Sequence, residues 1–98
     1  MTKQKLIIRP EAESDIQEAC AWYEDKSKGL GADFIRCIDA ALSLIQRSPE
    51  LYAQVHKNIR RALIRRFPYG IFYIAEVDKI IVLAVLHVKR NPKHWQKR

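Results

Sequence analysis

Apolar residues first recur at the spacing of a short strand, then of two helices, then of strands again. The opening run KLIIR, residues 5–9, predicts a strand. Pro10 follows; it lacks an N–H and presets φ, which suits the first turn of a helix. Glu11, Glu13 and Asp15 come next, where carboxylates favour the positive end of the helix dipole. Ala12, Ile16, Ala19, Cys20 and Tyr23 share one helical face and predict a helix over residues 11–25, with Trp22 at the margin of the stripe or partly exposed. KSKGLG, with glycines at 29 and 31, breaks the pattern. Phe34, Ile38, Ala41, Leu42 and Ile45, widened by Ile35 and Leu44, predict a second helix over residues 31–47. Ser48-Pro49 ends it, because the residue before a proline avoids the α region. Two one-faced helices with a short link read as a hairpin that must lie on something flat and apolar.

The strands downstream supply that surface. The run 80–86 (IIVLAVL) has no polar side chain and is far shorter than the roughly 20 residues of a membrane span. Its length and β-branching predict a strand buried on both faces, in the middle of the sheet. Residues 69–76 predict its neighbour, with Pro68 at the boundary and Asp78-Lys79 in the turn between the two. Residues 54–67 are less regular. Val55, Ile59, Leu63 and Phe67 share a parity with Lys57, Arg61 and Arg65, which predicts one strand that is bulged, or long and twisted. The tail, 88–98, contains Pro92 and is expected to be irregular or to hold one short turn. The order is β-α-α-β-β-β. It predicts a single α+β domain over residues 1–98, a helix hairpin packed as one layer on a small antiparallel-rich sheet.

Composition sharpens this picture at one point. The 98 residues carry a net charge of +7, unevenly spread. Residues 1–53 hold seven Lys/Arg against nine Asp/Glu, leaving eleven of the 18 Lys/Arg and two of the 11 Asp/Glu to residues 54–98. The second half is a concentrated cation, suited to phosphate backbones or an acidic protein segment. The opening MTKQKLIIRP has only three consecutive apolar residues, so no export signal and a cytoplasmic location are expected. In that compartment Cys20 and Cys37 are expected as reduced core residues.

Few constellations carry chemistry. Glu76 and Asp78 are the only carboxylates of the basic half, and both fall at a hairpin tip. His56, His87 and His94 lack the spacing of a helical zinc motif, and the cysteines lie elsewhere, so no metal is expected. No glycine-rich phosphate loop is present and no cofactor is expected. What remains is read as one positive surface, a cationic rim of the sheet with aromatics among the charges: Arg60, Arg61, Arg65, Arg66, Tyr69, His87, Arg90, His94 and Trp95. Such a set can bind nucleic acid, or cleave RNA with a histidine or tyrosine as base and arginines on the developing charge. Trp95 can instead anchor the tail on the core, and Tyr69 and Tyr73 read as core or rim.

The segments IRRALIRRFPYGIFY, IIVLAVLHVKR and NPKHW together resemble the ParE branch of the RelE/ParE toxin superfamily of bacterial toxin–antitoxin pairs. The resemblance covers nearly the whole chain. Its more specific parts are Arg66-Phe67-Pro68-Tyr69 and the tail His87, Arg90, Pro92, Trp95. It implies a small basic toxin, neutralised in a hetero-oligomer by a cognate antitoxin whose C-terminal segment wraps it. ParE-like members of the superfamily poison DNA gyrase; RelE-like members cut mRNA in the ribosomal A site. The nucleases carry an arginine before the apolar-apolar-Tyr triplet of the middle strand. Here the triplet is Ile71-Phe72-Tyr73 and Gly70 precedes it, which leans toward a non-enzymatic gyrase inhibitor. The target-binding residues expected are Arg60, Arg61, Arg65, Arg66, His87, Arg90 and Trp95. The alternative, a ribosome-dependent mRNA endonuclease, would draw on Arg65, His87, Arg90 and His94.

Overall fold

The computed structural model describes residues 4–98; residues 1–3, where the stretch read for an export signal begins, lie outside the described part. The order is β1 (Lys5–Ile8), α1 (Pro10–Lys26), α2 (Leu30–Arg47), β2 (Gln54–His56), β3 (Ile59–Leu63), β4 (Tyr69–Ala75), β5 (Lys79–His87) and α3 (Lys93–Gln96). No described helix is long and apolar enough to cross a membrane.

Both long helices follow their sequence signals. Pro10 opens α1, Glu11 and Glu13 lie in its first turn and Lys26 in its last. The helix buries Ala12, Ala19 and Tyr23, with Ile16 and Cys20 half-buried beside them. Gly29 turns the chain at φ 89°, a left-handed value natural to glycine. The Glu24 carboxylate then accepts N–H bonds from Gly29 (3.0 Å) and Gly31 (3.0 Å), capping the start of α2. Gly31 sits so close to α1 that a β-carbon there would lie 2.8 Å from the Cys20 carbonyl. Helix α2 buries Phe34, Ile38, Ala41, Leu42 and Ile45. Leu44, expected in that stripe, is instead 44% exposed. Cys20 and Cys37 are free and half-buried.

The sheet runs β1-β5-β4-β3-β2. Strands β1 and β5 pair in parallel, and the other three pairings are antiparallel. Strand β5 is buried on both faces as its composition predicts, but the geometric centre is β4. The parallel partner β1 adds on the far side of β5, and the chain reaches it first rather than last.

The stretch 54–67 is two strands, not one. His56 and Ile59 close a hairpin around Lys57-Asn58, with Lys57 at φ 51°. Strand β3 then turns Arg60 and Ala62 toward the helices and Ile59, Arg61 and Leu63 to the opposite face, as its pairing with β4 requires. That opposite face has its own small core. Trp95 of α3 stacks on Phe72, ring centroids 4.5 Å apart, among Ile59, Leu83, Ala84 and Leu86. Ile59 lies under this cover and Leu63 beyond it, which accounts for the mixed parity in the sequence. The helix-side core gathers Tyr23, Phe34, Phe67 and Tyr69 at contact distance around Ile71, Tyr73, Val82 and Val85.

Candidate functional site

The basic residues do not form one rim. They divide among three regions, namely the two faces of β3 with the turn at Arg66, a groove beside α2 that holds Arg65, and the tail.

Arg60 points to the helix side of β3 and works internally. Its Nη1 donates to the Tyr52 carbonyl at 2.6 Å and to the Glu50 carbonyl at 3.3 Å, holding the loop after α2. Arg61, its neighbour, lies on the other face; its aliphatic stem covers Gly70, where an added β-carbon would meet Arg61 Cγ at 3.1 Å. Arg66 occupies a left-handed turn at φ 72°, stacks over Phe67 and pairs with Asp33 at 3.6 Å.

Arg65 belongs to a groove of about 580 Å³ between α2 and the end of β3. Ala40, Ala41, Leu44 and Ile64 line it on the helix side, Leu63 stands at its outer edge with its side chain on the far face of β3, and Arg36, Arg47 and Arg65 complete the lining. Leu63 is 57% exposed, unusual for a leucine with two apolar neighbours. The backbone there is open too. Strand β2 is only three residues long, and its cover ends with the Arg61 N–H on the Ala53 carbonyl (3.2 Å). The Ile64 N–H faces β4, bonding the Tyr69 carbonyl at 3.1 Å. Alternation therefore aims the Leu63 N–H and C=O outward along a free sheet edge. Nothing in the linear pattern marks this groove, because it depends on β2 stopping early.

Residues 6–92 match the family described as the ParE toxin of the type II toxin–antitoxin system, parDE. The chain belongs to this family. It is similar to the ParE2 toxin of Mycobacterium tuberculosis, in strains CDC 1551 and H37Rv, at 28% identity over 90 residues, covering 91% of this chain and 86% of that protein. The fold is similar to a chain of the chromosomal ParDE system from P. aeruginosa, with a TM-score of 0.74, 14% identity and coverage of 87% of this chain and 96% of that one.

The third basic region of this ParE-family chain is the tail. His87 ends β5 on the helix side, where its Nδ1 accepts the Lys89 N–H at 3.0 Å. It borders a cleft of about 500 Å³ with Trp22, Tyr23, Tyr69 and Arg90. Arg90 also approaches the His94 Nδ1 at 3.4 Å. Burial pushes the Tyr69 phenol up, while Arg90 draws it down and Asp15 adds to the rise. Trp95 is 6% exposed with its ring committed to Phe72, so it anchors the tail and presents no ring to a target. Of the four residues a nuclease would draw on, His87, Arg90 and His94 share the tail and Arg65 lies in the α2–β3 groove. Arg61, the arginine nearest the Gly70 position, is on the opposite face of the sheet from His87.

Proposed function

We propose that this chain is the toxin of its ParE-type pair, that it inhibits DNA gyrase by protein–protein binding in the cytoplasm, and that a cognate antitoxin neutralises it. The observation that carries the non-enzymatic part is Gly70, which precedes Ile71-Phe72-Tyr73 where the nucleases of the superfamily carry an arginine. A general base and a charge-stabilising arginine must flank the same phosphate; Arg65 lies in the α2–β3 groove, away from His87, and of the nuclease candidates Arg90 alone borders the cleft of His87. The α2–β3 groove supports the antitoxin part. An amphipathic or extended segment can lay apolar side chains on Leu44 and Leu63, pair with the free β3 edge and meet the three arginines with acidic groups.

A supercoiling assay with purified toxin and gyrase tests the target. Inhibition with accumulated linear DNA is expected; normal supercoiling at large toxin excess counts against it. Primer extension on a translated message separates the alternative, since discrete new cuts would assign the chain to the mRNA endonucleases. Growth arrest on induction, relieved by co-expressing the partner gene, tests the antitoxin part.

A further inference from the structure

The tail carries a charge pattern that lies outside the α2–β3 groove. From residue 79 to residue 98 the chain has no Asp or Glu. Lys89, Arg90, Lys93, His94 and Lys97 all stand exposed within this tail. Among the described residues no carboxylate lies within ion-pair distance of Lys89, Arg90, Lys93 or Lys97.

These cations are held in place. The chain turns after β5 through the Arg90 N–H on the His87 carbonyl (2.9 Å), then enters α3 through the Gln96 N–H on the Pro92 carbonyl (2.9 Å). Trp95 stacks on Phe72 beneath them, and Arg98 pairs with Asp15 beyond them. The free charges therefore lie on a fixed surface rather than on a loose end.

We propose that this tail surface binds the phosphate backbone of duplex DNA without sequence preference. Two features select this occupant over others. A protein partner needs an apolar anchor at the centre of its footprint, and beyond Val88 the tail exposes no large hydrophobic side chain. A single strand needs rings on which bases can stack; the tail's one ring of Phe, Tyr or Trp type, Trp95, is buried, and of the four tail Lys and Arg named above Arg90 alone borders the cleft that holds Trp22 and Tyr69. Cations without an apolar anchor or a stacking platform match a duplex backbone, where each neutralised phosphate releases counterions. The inference stands apart from the identity of the toxin's target.

Fluorescence anisotropy of the full-length protein on two blunt duplexes of unrelated sequence tests it. Equal binding to both is expected, with log K falling against log salt at a slope of about −3 to −4, from about 0.9 per phosphate contacted. Replacing Lys89, Arg90, Lys93 and Lys97 together by Gln is expected to weaken binding more than tenfold and flatten the slope. A control removing four distant charges, Lys5→Gln, Lys26→Gln, Lys28→Gln and Lys57→Gln, is expected to change affinity less than threefold. Melting temperatures report whether each variant folds. Arg90→Gln and Lys93→Gln alone, too mild to unfold a surface turn, should each reduce the slope by about one. Three results would overturn the proposal: no duplex binding at low salt, an equal loss in the control, or tighter binding to single-stranded RNA or poly-glutamate than to duplex.

Discussion

Asp15 and Arg98, separated by 83 positions, form an ion pair at 2.5 Å between the first turns of α1 and the end of the tail. The Asp15 side chain is nearly buried and also accepts the Val85 N–H at 3.0 Å, while Arg98 donates to the Leu83 carbonyl at 3.3 Å. These groups lie just where β1 stops pairing with β5, its last match being Ile8 with Val82. The pair thus replaces ladder hydrogen bonds that the departing strand no longer provides.

Arg98→Gln is expected to cost about 1–2 kcal/mol, and Asp15→Ala about 2–3 kcal/mol because it also strands the Val85 amide. Urea denaturation of both singles and the double variant measures this. A coupling energy near zero in the double-mutant cycle would mean that the two side chains do not act together.

Trp95→Ala is expected to destabilise by about 3–5 kcal/mol, the range for deleting a large buried aromatic. The loss should come with cleavage in the tail by trypsin, whose sites Lys89, Arg90, Lys93 and Lys97 are already exposed. Equal proteolysis of wild type and variant would show that the ring does not hold the tail.

Tyr73 supplies a pH dependence. Its phenol is wholly buried and donates to the Pro49 carbonyl at 2.6 Å, tying the end of α2 to the sheet. Burial pushes its pKa up to about 12, with Arg60 pulling it back and Tyr52 adding to the rise. The unfolded phenol loses its proton near pH 10, so between pH 10 and 12 the folded state holds the proton that the unfolded state has released. Stability is full below pH 10 and falls by about 2–3 kcal/mol as pH approaches 12. Tyr73→Phe should lower stability at neutral pH by about 1 kcal/mol for the lost bond and flatten the alkaline decline. Denaturation midpoints at pH 9, 10.5 and 12 check both.

The parts of the fold that follow from local rules were legible in the sequence. Pro10 with its trailing carboxylates, the glycines at 29 and 31, Ser48-Pro49 and the run 80–86 each mark an element with a mechanism of its own. The β2–β3 hairpin was not legible, because its turn is Lys57-Asn58 without a glycine and β2 is too short to show alternation. The placement of the arginines was illegible for a related reason. Arg60 and Arg61 are neighbours in sequence, yet strand parity sends one to an internal carbonyl and the other across the sheet. A count of charges cannot distinguish a side chain that pins a loop from one that meets a partner. Leu44 makes the same point for apolar residues: its helical spacing is that of the core stripe, but the sheet beneath it ends before covering it.

The exposed leucines make the sharpest test of the α2–β3 groove. Leu44 lines it on the helix side and Leu63 stands at its outer edge, and neither belongs to the buried clusters of the fold. Leu63→Glu places a carboxylate where an apolar partner side chain would sit, beside Arg65. The isolated toxin should tolerate it within about 0.5–1 kcal/mol, because an exposed side chain gives up little burial. Antitoxin binding should fall at least a hundredfold, from the lost contact and the desolvation of the new charge. Leu63→Ala, which removes the contact without adding charge, should fall between the two. Calorimetric titration with the partner, alongside the melting temperature of each variant, separates binding from folding. Unchanged antitoxin affinity in Leu63→Glu would move the antitoxin seat off this groove while leaving the toxin assignment intact.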